Sequence, residues 1–304
     1  MSSQKHDITH WKRRFLEYLE IEKGRSLKTI EMYDRYIDRY LAHAGVQLPS
    51  DITADNVREF RLYLNREKTR TGTVKKVTQN KYLISIRSFL KYLEKNDVDT
   101  LAAAKIELAK APERELDVIT RKEFEDLLSA PNKQKNGSGF ERARDTAILE
   151  LLYSTGLRVS ELCSLNNDLD LARDEFTIRG KGEKLRLVFL SESARAAIRD
   201  YQQTLPTMNF KVLESGLFVM KSGVRIHPRA IQRMIEKYRI QAGIMRPVTP
   251  HDIRHYFATD LLQNGADIRS VQMLLGPVSI NTTQVYTKLS DKYLREVHSK
   301  FHAK

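Results

Sequence analysis

Apolar residues recur at helical spacing through the first hundred positions. Trp11, Phe15, Tyr18 and Leu19 form one stripe; Tyr33, Ile37, Tyr40 and Leu41 form a second that closes at Gly45. Thr53 is placed to cap a third helix carrying Val57, Phe60 and Leu64, and Thr78 a fourth carrying Tyr82, Ile86, Phe89, Leu90 and Leu93. Four amphipathic helices with short connections predict a compact bundle, with the aromatic positions turned into its core.

The pattern changes after residue 100. Ala102 to Leu116, holding Pro112 and the charged run Glu113-Arg114-Glu115, reads as a join. Thr120-Arg121-Lys122-Glu123 has the spacing of a capping box and predicts a new helix start. Pro131 to Gly139 is polar and reads as a loop; residues 143–155 form an apolar helix that Gly156 stops. Residues 175–179 and 185–190 alternate as strands around the glycine turn 180–184. Helices are expected near 192–203, 229–242, 250–264 and 267–275. The domains are therefore placed at 1–106 and 118–304, with 107–117 as linker.

Composition narrows the classes. The chain has 304 residues, 41% of them apolar, which is too apolar for a disordered tail and long enough for two domains. A single cysteine, Cys163, excludes an intramolecular disulfide framework and a multi-cysteine zinc site; it reads as a small buried hydrophobe in an apolar turn. No apolar run approaches the ~18 residues of a spanning helix, and the first residues lack the apolar stretch of a secretory signal. The expectation is a soluble, cytoplasmic protein.

Fifty-two basic residues against 39 acidic ones give a net charge of +13, which points to a polyanionic partner, nucleic acid before membrane. The excess is uneven. Arg66 to Lys91 carries eight basic residues and one acid, Glu67, interleaved with uncharged donors. A solvated face is the simple reading. The imbalance favours a surface that tracks phosphates, with Lys75, Lys76, Asn80, Lys81 and Arg87 as the DNA-binding candidates.

Common enzyme templates are missing: there is no GxxxxGK[ST], no GxGxxG after a strand, no HExxH and no GxSxG. What remains is scattered and basic. Arg158 stands just past a helix end with Glu161 three residues on, Lys181 at a hairpin tip, His251 and Arg254 three apart on one helical face, and Tyr286 near the C-terminus. Taken singly, each is as readily a surface or core group.

In order, these stretches resemble the tyrosine recombinases, most closely the Xer-type site-specific recombinases. The carriers are TGLRVSEL at 155–162, GKGEKLRLV at 180–188, HDIRHYFAT at 251–259 and LLGPVSINTTQVYTKL at 274–289. The N-terminal bundle is similar to that family's core-binding domain in pattern more than in motif. The resemblance implies a mainly α, two-domain protein: a four-helix, SAM-like core-binding bundle, then a mostly helical α+β catalytic domain with a small antiparallel sheet, the two clamping duplex DNA.

It also implies roles. Arg158 and Arg254 clamp the scissile phosphate, His251 hydrogen-bonds it or helps move the tyrosine proton, and Lys181 protonates the departing 5′-oxygen. Tyr286 is the nucleophile, and Glu161 holds Arg158. The product is a 3′-phosphotyrosyl link that keeps the bond energy, so neither ATP, a metal nor another cofactor is called for. Pro277 departs from the pattern: the family usually has histidine there, sometimes tryptophan, as a phosphate donor, and proline has neither a side-chain donor nor a backbone N–H. His255, off the face of Arg254, reads as structural.

The implied partners are double-stranded DNA with paired half-sites and further copies of the chain. These copies form a tetramer on synapsed DNA through a C-terminal helix with Tyr293, Leu294, Val297 and Phe301 at helical spacing. A second recombinase or a DNA translocase remains an open addition. The task is either chromosome-dimer resolution or mobile-element integration and excision. Two alternatives stay open: type IB topoisomerase-like relaxation, and a catalytically impaired, recombinase-derived DNA-binding protein.

Overall fold

In the computed structural model the described residues are 6–69, 72–110, 119–133, 138–180, 185–208 and 212–276. The chain divides into two compact units, Met1–Arg114 and Glu115–Lys304. Among the described residues, no helix is long and apolar enough to cross a membrane.

The first unit is built on four helices: α1 (Ile8–Ile21), α2 (Leu27–Ala44), α3 (Ala54–Arg66) and α4 (Lys76–Lys95). A minimal antiparallel pair, β1 (Lys68–Thr69) and β2 (Gly72–Thr73), stands between α3 and α4. The stripes meet as predicted. Phe15, Ile37, Tyr40, Phe60, Leu64, Ile86, Leu90 and Leu93 are fully buried in one core. Asp7 caps α1 and Thr53 caps α3, each accepting a backbone N–H, and Gly45 ends α2 in the left-handed region at φ 65°.

The cap expected at Thr78 is corrected. Helix α4 is capped three residues earlier, by Lys75, whose carbonyl accepts the N–H groups of Thr78 and Gln79 at 2.8 and 3.0 Å. Thr78 thus lies inside the first turn.

The second unit is assembled around α6 (Gly139–Thr155), which buries Ala147, Ile148, Leu149, Leu151 and Leu152 and so carries little amphipathic pattern. Before it comes α5 (Arg121–Lys133), opened by the reciprocal Thr120–Glu123 cap. The loop expected from Pro131 is shortened, because α5 continues through Pro131 to Lys133. That proline completes the buried stripe of Phe124, Leu127 and Ala130. In the last turn its missing N–H breaks only one helical bond.

After α6 come α7 (Val159–Ser164), the antiparallel hairpin strands β3 (Glu175–Arg179) and β4 (Leu185–Phe189), and α8 (Glu192–Thr204). The unit continues with α9 (Pro228–Gln241), α10 (Pro250–Gln263) and α11 (Ile268–Leu275). Two buried polar contacts fix α6 and α8 within this frame. The Tyr238 hydroxyl donates to Asp145 at 2.9 Å, and the Tyr201 hydroxyl accepts from the Val219 N–H at 3.1 Å. Cys163 lies on α7 rather than in a turn; it is buried, and burial pushes its thiol up to about 11.

Candidate active site

Gly156 is the pivot of the site. It ends α6 at φ 58°, its N–H bonding back to Leu152, and turns the chain toward Arg158. Arg158 caps α7 in extended conformation. Its backbone N–H donates to Glu161 Oε2 at 2.7 Å, and its Nη1 donates to Glu161 Oε1 at 2.8 Å. Glu161 thus both closes the first turn of α7 and bonds the Arg158 side chain.

Glu161 is itself only 6% exposed. Burial alone would raise its pKa, but hydrogen bonds from Arg186 and Arg158 outweigh that and keep the carboxyl below its ordinary range. The Arg186 bonds are bidentate, Nη1 to Oε1 at 2.8 Å and Nη2 to Oε2 at 2.7 Å. Sequence reasoning gives Arg186 no role of its own within GKGEKLRLV. Its signal is an arginine among alternating leucines, at the position where β4 faces the core.

Arg254 is placed by α10. Thr249 caps this helix, accepting from the Asp252 N–H, while Asp252 Oδ2 accepts from the Thr249 N–H at 2.8 Å. That start phases the helix. Tyr256 stacks on Phe124 of α5 at 4.2 Å between ring centres, and Arg254 turns inward, 6% exposed. Its Nη1 donates to Gly156 O at 2.5 Å and its Nη2 to Leu275 O at 2.6 Å. One carbonyl lies two residues before Arg158. The other closes α11, directly before Gly276.

His251 lies exposed in the first turn of α10. Its Nε2 is 3.0 Å from Nε2 of His255, one helical turn on. Burial, and then the neighbouring His251, push the His255 imidazole down to about 4, so it is neutral at pH 7. The face His255 shares is that of His251, not of Arg254.

Lys181, Pro277, Tyr286 and the segment Asp291–Phe301 lie outside the described residues. The hairpin flanking Lys181 is described up to the pair Arg179–Leu185. In the first unit, Lys75, Lys76 and Lys81 are exposed and Arg87 is half-buried, all on or beside α4. Asn80 is engaged within its own unit: its amide donates to Ala109 O at 2.8 Å and accepts from the Ala109 N–H at 3.1 Å. Among the described residues, no group of three or more His, Cys, Asp or Glu could hold a metal ion.

Chemically, two guanidiniums from different elements are each fixed by partners that hold them at no reorganisation cost. Such an arrangement suits an oxyanion whose charge grows during reaction.

Comparisons with known proteins identify the family. Residues 117–293 match the model of the phage integrase family, and residues 13–97 that of the phage integrase N-terminal SAM-like domain. The tyrosine recombinase XerC of Thermodesulfovibrio yellowstonii is 35% identical over 295 residues, covering 95% of this chain and 94% of that one. The tyrosine recombinase XerD of Oceanobacillus iheyensis is 34% identical over 298 residues, covering 95% and 96%. The crystal structure of XerH site-specific recombinase bound to palindromic difH substrate, a post-cleavage complex, has the same fold. Its TM-score is 0.68 at 22% identity, over 98% of this chain and 91% of that one. With both units matched and relatives of this identity along nearly its whole length, the chain belongs to the phage integrase family of tyrosine recombinases.

Proposed function

We propose that this chain is a site-specific DNA recombinase that breaks and rejoins duplex DNA through a 3′-phosphotyrosyl intermediate. The observation that carries the reading is the paired anchoring of Arg158 by Glu161 and of Arg254 by the carbonyls of Gly156 and Leu275. Both cations are fixed before any substrate arrives, as catalysis by charge stabilisation requires.

In this reading the two arginines hold the non-bridging oxygens of the scissile phosphate. The Tyr286 oxygen attacks phosphorus, the P–O5′ bond breaks, and the phenolic proton leaves with help from His251. Lys181 gives a proton to the departing 5′-oxygen. Attack by a 5′-hydroxyl on the phosphotyrosine reverses the step and rejoins strands with no external energy source. The basic stretch of α4 tracks duplex phosphates beside the crossover point. Four copies act on two paired half-site sequences, linked through the segment Asp291–Phe301, in the cytoplasm; residues 107–117 link the two domains.

Two experiments test the reading. Sequencing DNA recovered covalently attached to the protein defines the site. Plasmids bearing one or two copies of it then separate the outcomes: two-site plasmids yield resolved or inverted products, whereas relaxation of one-site plasmids alone would indicate a topoisomerase. For the general acid, Lys181→Ala is expected to lose cleavage of ordinary DNA and to regain it on a substrate with a 5′-bridging sulfur, whose departure needs no proton. No regain, with binding intact, removes Lys181 from that role.

A further inference from the structure

Strand β4 is built the wrong way round for an ordinary hairpin. Leu185, Leu187 and Phe189 face outward, 66%, 43% and 47% exposed, while Arg186 shares the inward face with Val188. A charged side chain buried at this position needs a partner. Its partner is Glu161, gripped by two parallel N–H···O bonds. Among the described residues, Nε of Arg186 is buried without a hydrogen-bond partner, and the directional bonding of the guanidinium goes to Glu161.

Glu161 accepts two bonds from Arg186 and two from Arg158. The charge balance matters. A lone Arg158–Glu161 pair is neutral, and the carboxylate cancels the field Arg158 offers an anion. Adding Arg186 leaves the trio at +1, with the carboxylate's oxygens shared between two guanidiniums.

Arg186 also lies beside Gly276, the C-cap of α11. A Cβ built on Gly276 would lie 3.4 Å from Cδ and 3.5 Å from Nη1 of Arg186. Gly276 directly follows Leu275, whose carbonyl holds Arg254. One side chain, five residues beyond Lys181 in the same hairpin, therefore meets the anchor of one arginine and lies beside the anchor of the other.

We propose that Arg186 is a positioning residue for DNA cleavage: it pins β4 to Glu161, orients Arg158 through that carboxylate, and fixes the base of the hairpin that carries Lys181. It touches no substrate. The role rests on the assignment of Arg158 and Lys181 under the proposed function.

The test uses the full chain, a nicked suicide duplex carrying the recovered site, and single-turnover cleavage. Arg186→Met and Arg186→Lys are measured alone and in a Glu161→Gln background, with DNA affinity and thermal unfolding recorded beside them. Arg186→Met is expected to lower the cleavage rate constant about 100-fold, on the scale of one preorganised donor, with affinity for the duplex changed less than about threefold. Arg186→Lys, with the charge but not the fork, is expected to fall between. A merely structural residue would lower the amplitude of cleavage, as the folded fraction drops, and leave the rate constant of the remainder intact. In the Glu161→Gln background, either Arg186 change is expected to cost less than about fivefold more, because the shared route is already cut. Unchanged rate constants, or fully multiplicative effects in the double variants, would overturn the proposal. Should Arg186→Met not fold, the same two criteria are read from Arg186→Lys. Arg158→Ala and Lys181→Ala serve as controls. If both cleave normally, the functional reading itself has failed; if both are inactive while the Arg186 variants are normal, only the positioning role has.

Discussion

Gly156→Ala offers a sharp test of how the site is held. Gly156 sits at φ 58°, and a Cβ there would lie 2.5 Å from Cδ1 and 2.9 Å from Cε1 of Phe257, and 3.0 Å from Cδ2 of Leu275. The left-handed backbone costs a non-glycine residue about 1 kcal/mol. Forcing a ring and a leucine aside in a packed core adds about 1–3 kcal/mol. Together these predict a loss of about 2–4 kcal/mol, read by urea unfolding. Gly243→Ala is the control. Its φ is 71°, yet among the described residues nothing lies within 4 Å of the added carbon, so the backbone cost dominates.

Activity should separate the two glycines further. The Gly156 carbonyl holds Arg254 from one side and Leu275, pushed by the new methyl, holds it from the other. A shift of either misplaces the guanidinium, so single-turnover cleavage by Gly156→Ala should fall at least about tenfold among folded molecules, and by Gly243→Ala not at all. Equal losses of stability in the two variants, or unaltered cleavage by Gly156→Ala, would mean that Gly156 does not hold Arg254 in place.

Three further outcomes follow from single features. His255 is pushed down to about 4 by burial and then by His251, so the unfolded chain, titrating near 6.5, binds the extra proton between these values; stability must rise with pH across that window, by at most about 3 kcal/mol, and His255→Gln should flatten the rise in unfolding curves. Neutralising Lys75, Lys76, Lys81 and Arg87 together should weaken specific and nonspecific duplex binding alike and flatten log affinity against log salt by up to roughly 0.9 for each phosphate no longer neutralised; an unchanged slope would make this a solvated face. If the donor missing at Pro277 limits catalysis, Pro277→His should cleave faster than Pro277→Ala, with a ceiling of ~2.7–4 kcal/mol, whereas equal slowing of both would assign the proline a conformational role.

Local signals announced much of this fold. The Thr120–Glu123 box and the stop at Gly156 need only neighbours a few residues away, and both form as their residue types dictate. Two of the helix boundaries that moved did so for reasons beyond local propensity, while α6 starts four residues before the expected 143, capped by Ser138. Helix α4 starts on a lysine whose carbonyl serves the first turn, and Pro131 stays helical because it fills a buried stripe. The Arg158–Glu161 contact was implied by the family resemblance, and its three-residue spacing allows it. Arg186 was not, since its partner is 25 positions away and only folding brings a strand to α7. The same holds for Arg254, whose acceptors are carbonyls 98 and 21 positions distant. His255 was read as structural and off the face of Arg254; its contact is with His251, four residues before it.

In the proposed mechanism the chain cuts DNA by attaching itself to it through Tyr286. The most direct measurement of this is covalent trapping on a nicked suicide duplex, with denaturing gel detection, for the parent chain and Tyr286→Phe. The parent is predicted to form a denaturant-resistant adduct that protease treatment reduces to a phosphotyrosyl peptide on the 3′ end. Tyr286→Phe is predicted to bind the same duplex with nearly unchanged affinity and to form none, because only the hydroxyl has been removed. An adduct of undiminished yield with Tyr286→Phe would contradict the account.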